Sequence, residues 1–238
     1  MKERIKKILK DYPLIYNFTQ KLYWKVQIFR ANIFGTSLIE KKWINRPPSE
    51  LSQIYHSHRK FLVNRISLLN PKSILEIGCN WGPNLYLIAK KFPQCKIKGI
   101  DINSEAIEIG NKLFKKEKIS NVKLSIGKAD EPNQFQDKSF DIVFTDAVLI
   151  YIGPDKIKKV IREMIRITRK ALIFVEWHDG DQKWSGKYNA HVGVWQRNYS
   201  DLLRNFVAEN QITISKIPEE LWPEKNWQKF GYIIEVKL

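Results

Sequence analysis

The sequence is short of cysteine, of long apolar runs and of acidic residues, and each shortage excludes something. Cys79 and Cys95 are the two cysteines in 238 residues, beside four histidines. Two are too few for a disulfide framework, and no Cys/His cluster stands at metal-site spacing, so the reading is a reducing, cytoplasmic setting with no structural metal. The most apolar early stretch, Leu14 to Phe34, is interrupted by Lys21, Lys25 and Arg30. A membrane-spanning helix needs ~20 mostly apolar residues without such charges. Residues 1–10 are charged, but no clean apolar run with a small-residue cleavage site follows, so no signal peptide is expected. Acids number 25 against 41 Lys and Arg, a net charge of +16. Thirteen of those bases and only four of the acids fall in residues 1–60. Such a surface suits nucleic acid, anionic lipid headgroups or a phosphorylated substrate. A chain rich in Lys, Ile and Asn throughout carries the same excess with no partner at all.

The first segment reads as a helix between Pro13, which suits a first helical turn, and Gly35, which suits a stop. Ile15, Phe18, Leu22, Val26, Phe29 and Ile33 form one apolar stripe at spacings of three and four. Bases and aromatics flank it, among them Lys21, Lys25, Arg30, Tyr16 and Trp24. A stripe of this kind lies on an anionic membrane surface or packs against the domain or a second subunit; both readings stay open. Arg46-Pro47-Pro48-Ser49 breaks the pattern. The expected division is a basic amphipathic helical extension over residues 1–48 and one folded domain over residues 49–238.

From Ser73 onward, short apolar runs alternate with amphipathic stretches. The runs are 73–77, 96–100, 122–126, 141–144, 171–176, 212–217 and 231–236, with helices expected near 83–91, 104–117, 154–168 and 200–206. This alternation predicts an α/β fold: a mainly parallel sheet with helices on both faces. The last two runs lack a strong helix between them, which predicts an antiparallel pair.

The chemistry-bearing residues sit at the ends of these strands. Gly78-Cys79-Asn80-Trp81-Gly82-Pro83 is a turn between a strand and a helix. Gly78 and Gly82 accept positive φ and admit a ligand to the backbone, and Asn80 is the residue type next best suited to that conformation. Asp101 ends the second strand, 23 positions after Gly78, where a carboxylate can accept both hydroxyls of a ribose. Asp130 follows the third strand, where it can accept an adenine amino group. Asp146 ends the fourth. Four ligand-facing positions at four successive strand ends point to a nucleoside site. A dinucleotide pattern would want glycines where Asn80 and Pro83 stand.

This succession resembles the motifs of class I S-adenosylmethionine-dependent methyltransferases over about residues 50–238. The resemblance implies a Rossmann-like seven-stranded sheet of order 3-2-1-4-5-7-6 with strand 7 antiparallel. It also implies S-adenosyl-L-methionine as cofactor. Glu76, Gly78, Asn80 and Gly82 would surround the methionine part, Asp101 the ribose and Ile102 the adenine face. Asp130 would hold the adenine amino group and Asp146 would line the methyl end. The family's usual middle glycine is replaced here by Asn80. More narrowly, the stretches 144–154 and 175–178 and the region of His191 resemble methyltransferases encoded with surface-polysaccharide enzymes, which implies a sugar or glycan-precursor acceptor.

Methyl transfer to a hydroxyl gains from a general base, and histidine is the natural choice near neutral pH. His178 follows the fifth strand and is the first candidate. His191, in a polar loop with Trp184, Tyr188 and Trp195 suited to stacking on a sugar, is the second. His56 and His58 precede the first strand, where a helix can lid the pocket. Asp146, Glu176 and His178 could converge on a metal, but nothing in their spacing requires one. The expected partners are a small-molecule or glycan acceptor, an anionic membrane surface met by residues 1–45 on the inner face, and a second copy of the chain. RNA is the open alternative that the charge allows. Against it, no appended RNA-binding motif is present, and the exit of the fourth strand reads Thr145-Asp146-Ala147-Val148 rather than an amino-methylating Asn-Pro-Pro-Tyr type.

Overall fold

The computed structural model describes residues 54–131, 135–189 and 192–238. The extension over residues 1–48, its stripe and His191 lie outside the described residues. The parallel strands are β1 (Ser73–Ile77), β2 (Lys96–Asp101), β3 (Val122–Ile126), β4 (Phe140–Asp146) and β5 (Thr168–Trp177). A hairpin of β6 (Lys187–Asn189) and β7 (Val194–Gln196) follows, and then β8 (Ile212–Lys216) and β9 (Gly231–Lys237) return to the main sheet. Its order is β3-β2-β1-β4-β5-β9-β8, with β9 antiparallel to both β5 and β8. With the hairpin set aside, this is the expected 3-2-1-4-5-7-6 sheet with its antiparallel strand.

The helices are α1 (Ser57–Ser67), α2 (Pro83–Lys91), α3 (Ser104–Lys116), α4 (Ile157–Ile167), α5 (Tyr199–Leu203) and α6 (Lys225–Phe230). Local chemistry sets their limits. Pro83 opens α2 with its φ already helical. Asn103 caps α3 by accepting from Ala106 N at 3.0 Å. In α4, Ile157, Val160, Ile161, Met164 and Ile167 are buried at spacings of three and four.

Side-chain alternation divides the core into two layers. Ile74, Phe144, Ile173 and Val175 face α1, α2 and α3, while Leu75, Val143, Leu172 and Phe174 face α4 and α5. Every parallel strand from β1 to β5 ends at the same edge. The order reverses between β1 and β4, so a crevice opens at the carboxyl ends of these two neighbours.

Two segments differ from expectation. The polar loop around Trp184–Trp195 is a hairpin whose Val194, Trp195 and Gln196 are all buried. Val194 packs with Ile150 and Trp177 at the end of the sheet, so β7 is buried while Trp184 and Tyr188 stay half-buried. The link between β8 and β9 holds α6, which the weak apolar pattern of Lys225–Phe230 had concealed.

Candidate active site

The turn after β1 takes the conformation that its residues allow. Gly78, Asn80 and Gly82 have φ of 75°, 52° and 85°. A Cβ on Gly78 would stand 2.3 Å from Val148 Cγ2, so that position has neither the torsion nor the space for a side chain. Asp101 braces the turn from the end of β2. Its Oδ2 accepts from Asn80 N at 2.7 Å and its Oδ1 from Asn103 N at 2.8 Å. Burial raises the Asp101 carboxyl pKa, against the opposing pull of these backbone N–H groups. Each oxygen keeps acceptor capacity for a further donor. Ile102 follows, half-buried. Asp130 is buried on the segment after β3, and its Oδ2 pairs with Lys156 Nζ at 3.0 Å.

A second cluster stands at the ends of β1 and β4, on the α1–α2 side of the sheet. Asn84 in the first turn of α2 joins the two carboxylates: its Nδ2 donates to Glu76 Oε1 at 2.7 Å and to Asp146 Oδ2 at 2.9 Å. Helix α1 closes the cluster from above. His58 Nε2 lies 2.9 Å from Asp146 Oδ2, and Arg59 Nη1 reaches Asp146 Oδ2 at 3.2 Å and Asn84 Oδ1 at 2.7 Å. His58 stacks on Trp222 with centroids 3.9 Å apart, and Trp222 stacks on Trp227 at 3.6 Å. Burial by itself would raise the Asp146 carboxyl, but His58, Arg59 and Asn84 outweigh it and hold that group well below the ordinary carboxylate range. Among the described residues no cation pairs directly with Glu76, and Arg59 acts on it only from a distance. Burial, reinforced by Asp146, pushes its carboxyl well above the usual value despite the bond from Asn84. Glu76 Oε2 and Asp146 Oδ1 are buried with no hydrogen-bond partner among the described residues.

The structure brings Glu76, Gly78, Asn80, Gly82, Asp101 and Asp146 to one crevice and places His178 elsewhere. Along β5, Glu176 and His178 alternate with Val175 and Trp177, so they face the α4–α5 side, opposite Asp146. His178 Nδ1 accepts from Tyr199 N at 3.2 Å. A neutral His178 then carries its proton on Nε2, which makes that nitrogen a donor and leaves proton abstraction to other residues. Glu176 neither orients His178 nor meets solvent. It accepts from Thr145 Oγ1 at 2.8 Å and from the backbone N–H groups of Val148, Leu149 and Ile150 at 2.9 to 3.0 Å. A carboxylate filled in this way holds the loop after Asp146 and is not disposed to share a metal with it.

Sequence reasoning missed Arg59 and Asn84 and underrated His58. One signal was present: His58 stands four residues before Leu62 and eight before Ile66, in register with the buried stripe of α1. A polar residue on that stripe must find a partner inside.

Solved structures share this fold. The chain aligns with geranyl diphosphate C-methyltransferase from Streptomyces coelicolor A3(2) at a TM-score of 0.60 and 16% identity, covering 76% of this chain and 75% of that one. It also aligns with the [4+2]-cyclase SpnF at 0.58 and 17%, covering 82% and 84%. At such identities the likeness concerns the fold alone, and the cyclase shows that the fold also hosts other chemistry. Among curated relatives, an uncharacterized protein of Haemophilus influenzae is 30% identical over 152 residues, covering 63% of this chain and 55% of the relative. Malonyl-[acyl-carrier protein] O-methyltransferase of Priestia megaterium is 26% identical over 139 residues, covering 56% and 49%. The chain spans about half the length of the curated relatives it matches. A family model described as a methyltransferase domain matches residues 70–236, from three residues before β1 to the penultimate residue of β9, and the chain belongs to that family.

Proposed function

We propose that this protein is an S-adenosylmethionine-dependent methyltransferase acting on an oxygen of a small-molecule acceptor, a sugar or glycan precursor. One observation carries the reading: the left-handed turn Gly78–Gly82 is braced by Asp101 at the crevice between β1 and β4, in a chain of the methyltransferase family. The residues fit the cofactor. Two buried carboxylate oxygens, Glu76 Oε2 and Asp146 Oδ1, want donors, and the α-ammonium of the methionine part supplies N–H groups and positive charge. When bound, S-adenosylmethionine supplies an electrophilic methyl on a sulfonium sulfur.

Glu76, Gly78, Asn80 and Gly82 would hold the methionine part, and Asp101 the ribose hydroxyls. Ile102 would pack on the adenine, Asp130 would accept its amino group and Asp146 would border the methyl. Support for a sugar-like acceptor comes from the resemblance of the stretches 144–154 and 175–178 to methyltransferases encoded with surface-polysaccharide enzymes. His191, which lies outside the described residues, would contact the acceptor as a polar group, whereas His178 faces away from the crevice. Residues 1–45 would bring the enzyme to an anionic membrane carrying its substrate, on the strength of their stripe and basic flanks.

Calorimetry of the full chain with S-adenosylhomocysteine tests the class, and absence of binding at millimolar ligand rejects it. A product screen with nucleotide sugars and glycan precursors tests the acceptor. Transfer only to nitrogen or carbon would retire the oxygen reading while leaving the class intact.

A further inference from the structure

Three side chains form an unbroken line from the acceptor side of the crevice to its buried floor. His56 Nδ1 lies 2.5 Å from His58 Nδ1, and His58 Nε2 lies 2.9 Å from Asp146 Oδ2. His56 is half-buried just before α1, with its ring 5.6 Å from Trp222. The proton positions follow in order. Ionised Asp146 can only accept, so His58 Nε2 carries a proton. A neutral His58 then accepts at Nδ1, so His56 donates from its own Nδ1. That leaves His56 Nε2 bare.

We propose that His56 is the general base of the methyl transfer and that His58 and Asp146 form a relay behind it. This assignment rests on the methyltransferase reading. In the step, the acceptor O–H bond breaks and its proton passes to His56 Nε2. The electron pair of that oxygen forms the new bond to the methyl carbon, whose bond to sulfur breaks with its electrons returning to sulfur. The proton on His56 Nδ1 shifts to His58 Nδ1, so the positive charge arises beside Asp146 rather than in the acceptor space. It is returned to solvent after product leaves. The charged groups facing His56 are His58, Glu224, Arg59 and Asp146. Burial comes first and lowers the His56 pKa, and with the repulsion from Arg59 it outweighs the attraction of Glu224 and Asp146, so His56 is unprotonated at neutral pH.

Two measurements on the full chain test this. The first needs no acceptor: nitrogen NMR of labelled histidine between pH 5 and 9, with H56N, H58N and H178N to assign the signals. The expected result is a His56 protonated at Nδ1 and a His58 protonated at Nε2, with coupled titrations. A resting His56 protonated at Nε2, or two rings titrating independently, overturns the relay. The second compares H56N with wild type on whichever acceptor the screen yields. A loss of about 10²–10⁴-fold in kcat is expected, with disappearance of the acidic limb of the pH profile and unchanged affinity for S-adenosylhomocysteine. Turnover within threefold of wild type, or a persisting acidic limb, overturns the base. If H56N binds S-adenosylhomocysteine normally, failure of the relay leaves the methyltransferase reading standing. Loss of binding by the wild type would strike the reading itself.

Discussion

Asp101 serves the polypeptide and the proposed ligand with the same two oxygens. Each already holds one backbone N–H of a neighbouring turn, so the carboxylate is aimed before anything binds. Asp101→Ala should therefore weaken S-adenosylhomocysteine by about 1.5–3 kcal/mol, roughly 10- to 150-fold, the usual worth of hydrogen bonds to a charged group. Calorimetry decides it, and an unchanged affinity would remove Asp101 from the site. Gly78→Ala should cost about 1–2 kcal/mol from left-handed backbone alone, and more from the collision with Val148, read as a fall in unfolding free energy in urea. Both residues were legible in the sequence because the turn and the strand end are local patterns. His58 and Arg59 were not, since they meet Asp146 from 88 and 87 positions away. Only the packing of α1 across the sheet edge brings those side chains together.

At the level of elements, β5 and the loop it supports show how a buried charge organises backbone. Ala147 carries a positive φ of 58° immediately after Asp146, a strained torsion for a residue with a side chain. Glu176 collects the next three N–H groups and so holds the bend. Burial raises its carboxyl to about 7, above its ordinary value of 4.5, with the bonds from Leu149, Val148 and Thr145 opposing. The sign follows from linkage. The folded state binds this proton more tightly than the unfolded chain does, so its stability contribution is complete below pH 4.5 and is lost as pH rises through about 7. Glu176→Gln should flatten this part of the stability profile between pH 5 and 8. It should also cost about 1–3 kcal/mol, because one amide nitrogen then confronts the Ile150 N–H. Thermal melts of the two proteins across that range check it, and parallel profiles would contradict it. The strands themselves were readable from apolar runs. Only β4 and β5 run two or three residues past an expected limit, because hydrogen bonding continues past the apolar segment, as at Thr168–Lys170 of β5. The β6–β7 hairpin escaped because three residues per strand are too few to display alternation.

Across the whole molecule, the net charge is +16, and thirteen bases against four acids in residues 1–60 put nine of that excess in the first quarter of the sequence. If residues 1–45 engage a membrane, the full chain should pellet with anionic vesicles and a form beginning near Arg46 should not. Salt should weaken the attraction without abolishing it, since apolar burial is not screened. Equal pelleting of both forms, or of neither, would dismiss the anchor. The seven-stranded order was foreseeable through the resemblance of the strand-end motifs to a family that shares it, while the alternation alone predicted only a mainly parallel sheet with a final antiparallel pair.

The family match begins at residue 70, whereas His56, His58 and Arg59 lie before it on α1 and its approach. The donor machinery and Asp146 thus belong to the shared body, and the two histidines of the proposed relay to the segment that precedes it. Such a division lets the two be inherited, lost or exchanged on different schedules. Grafting residues 1–69 onto a related body would be a direct way to move acceptor chemistry between enzymes without rebuilding their cofactor sites.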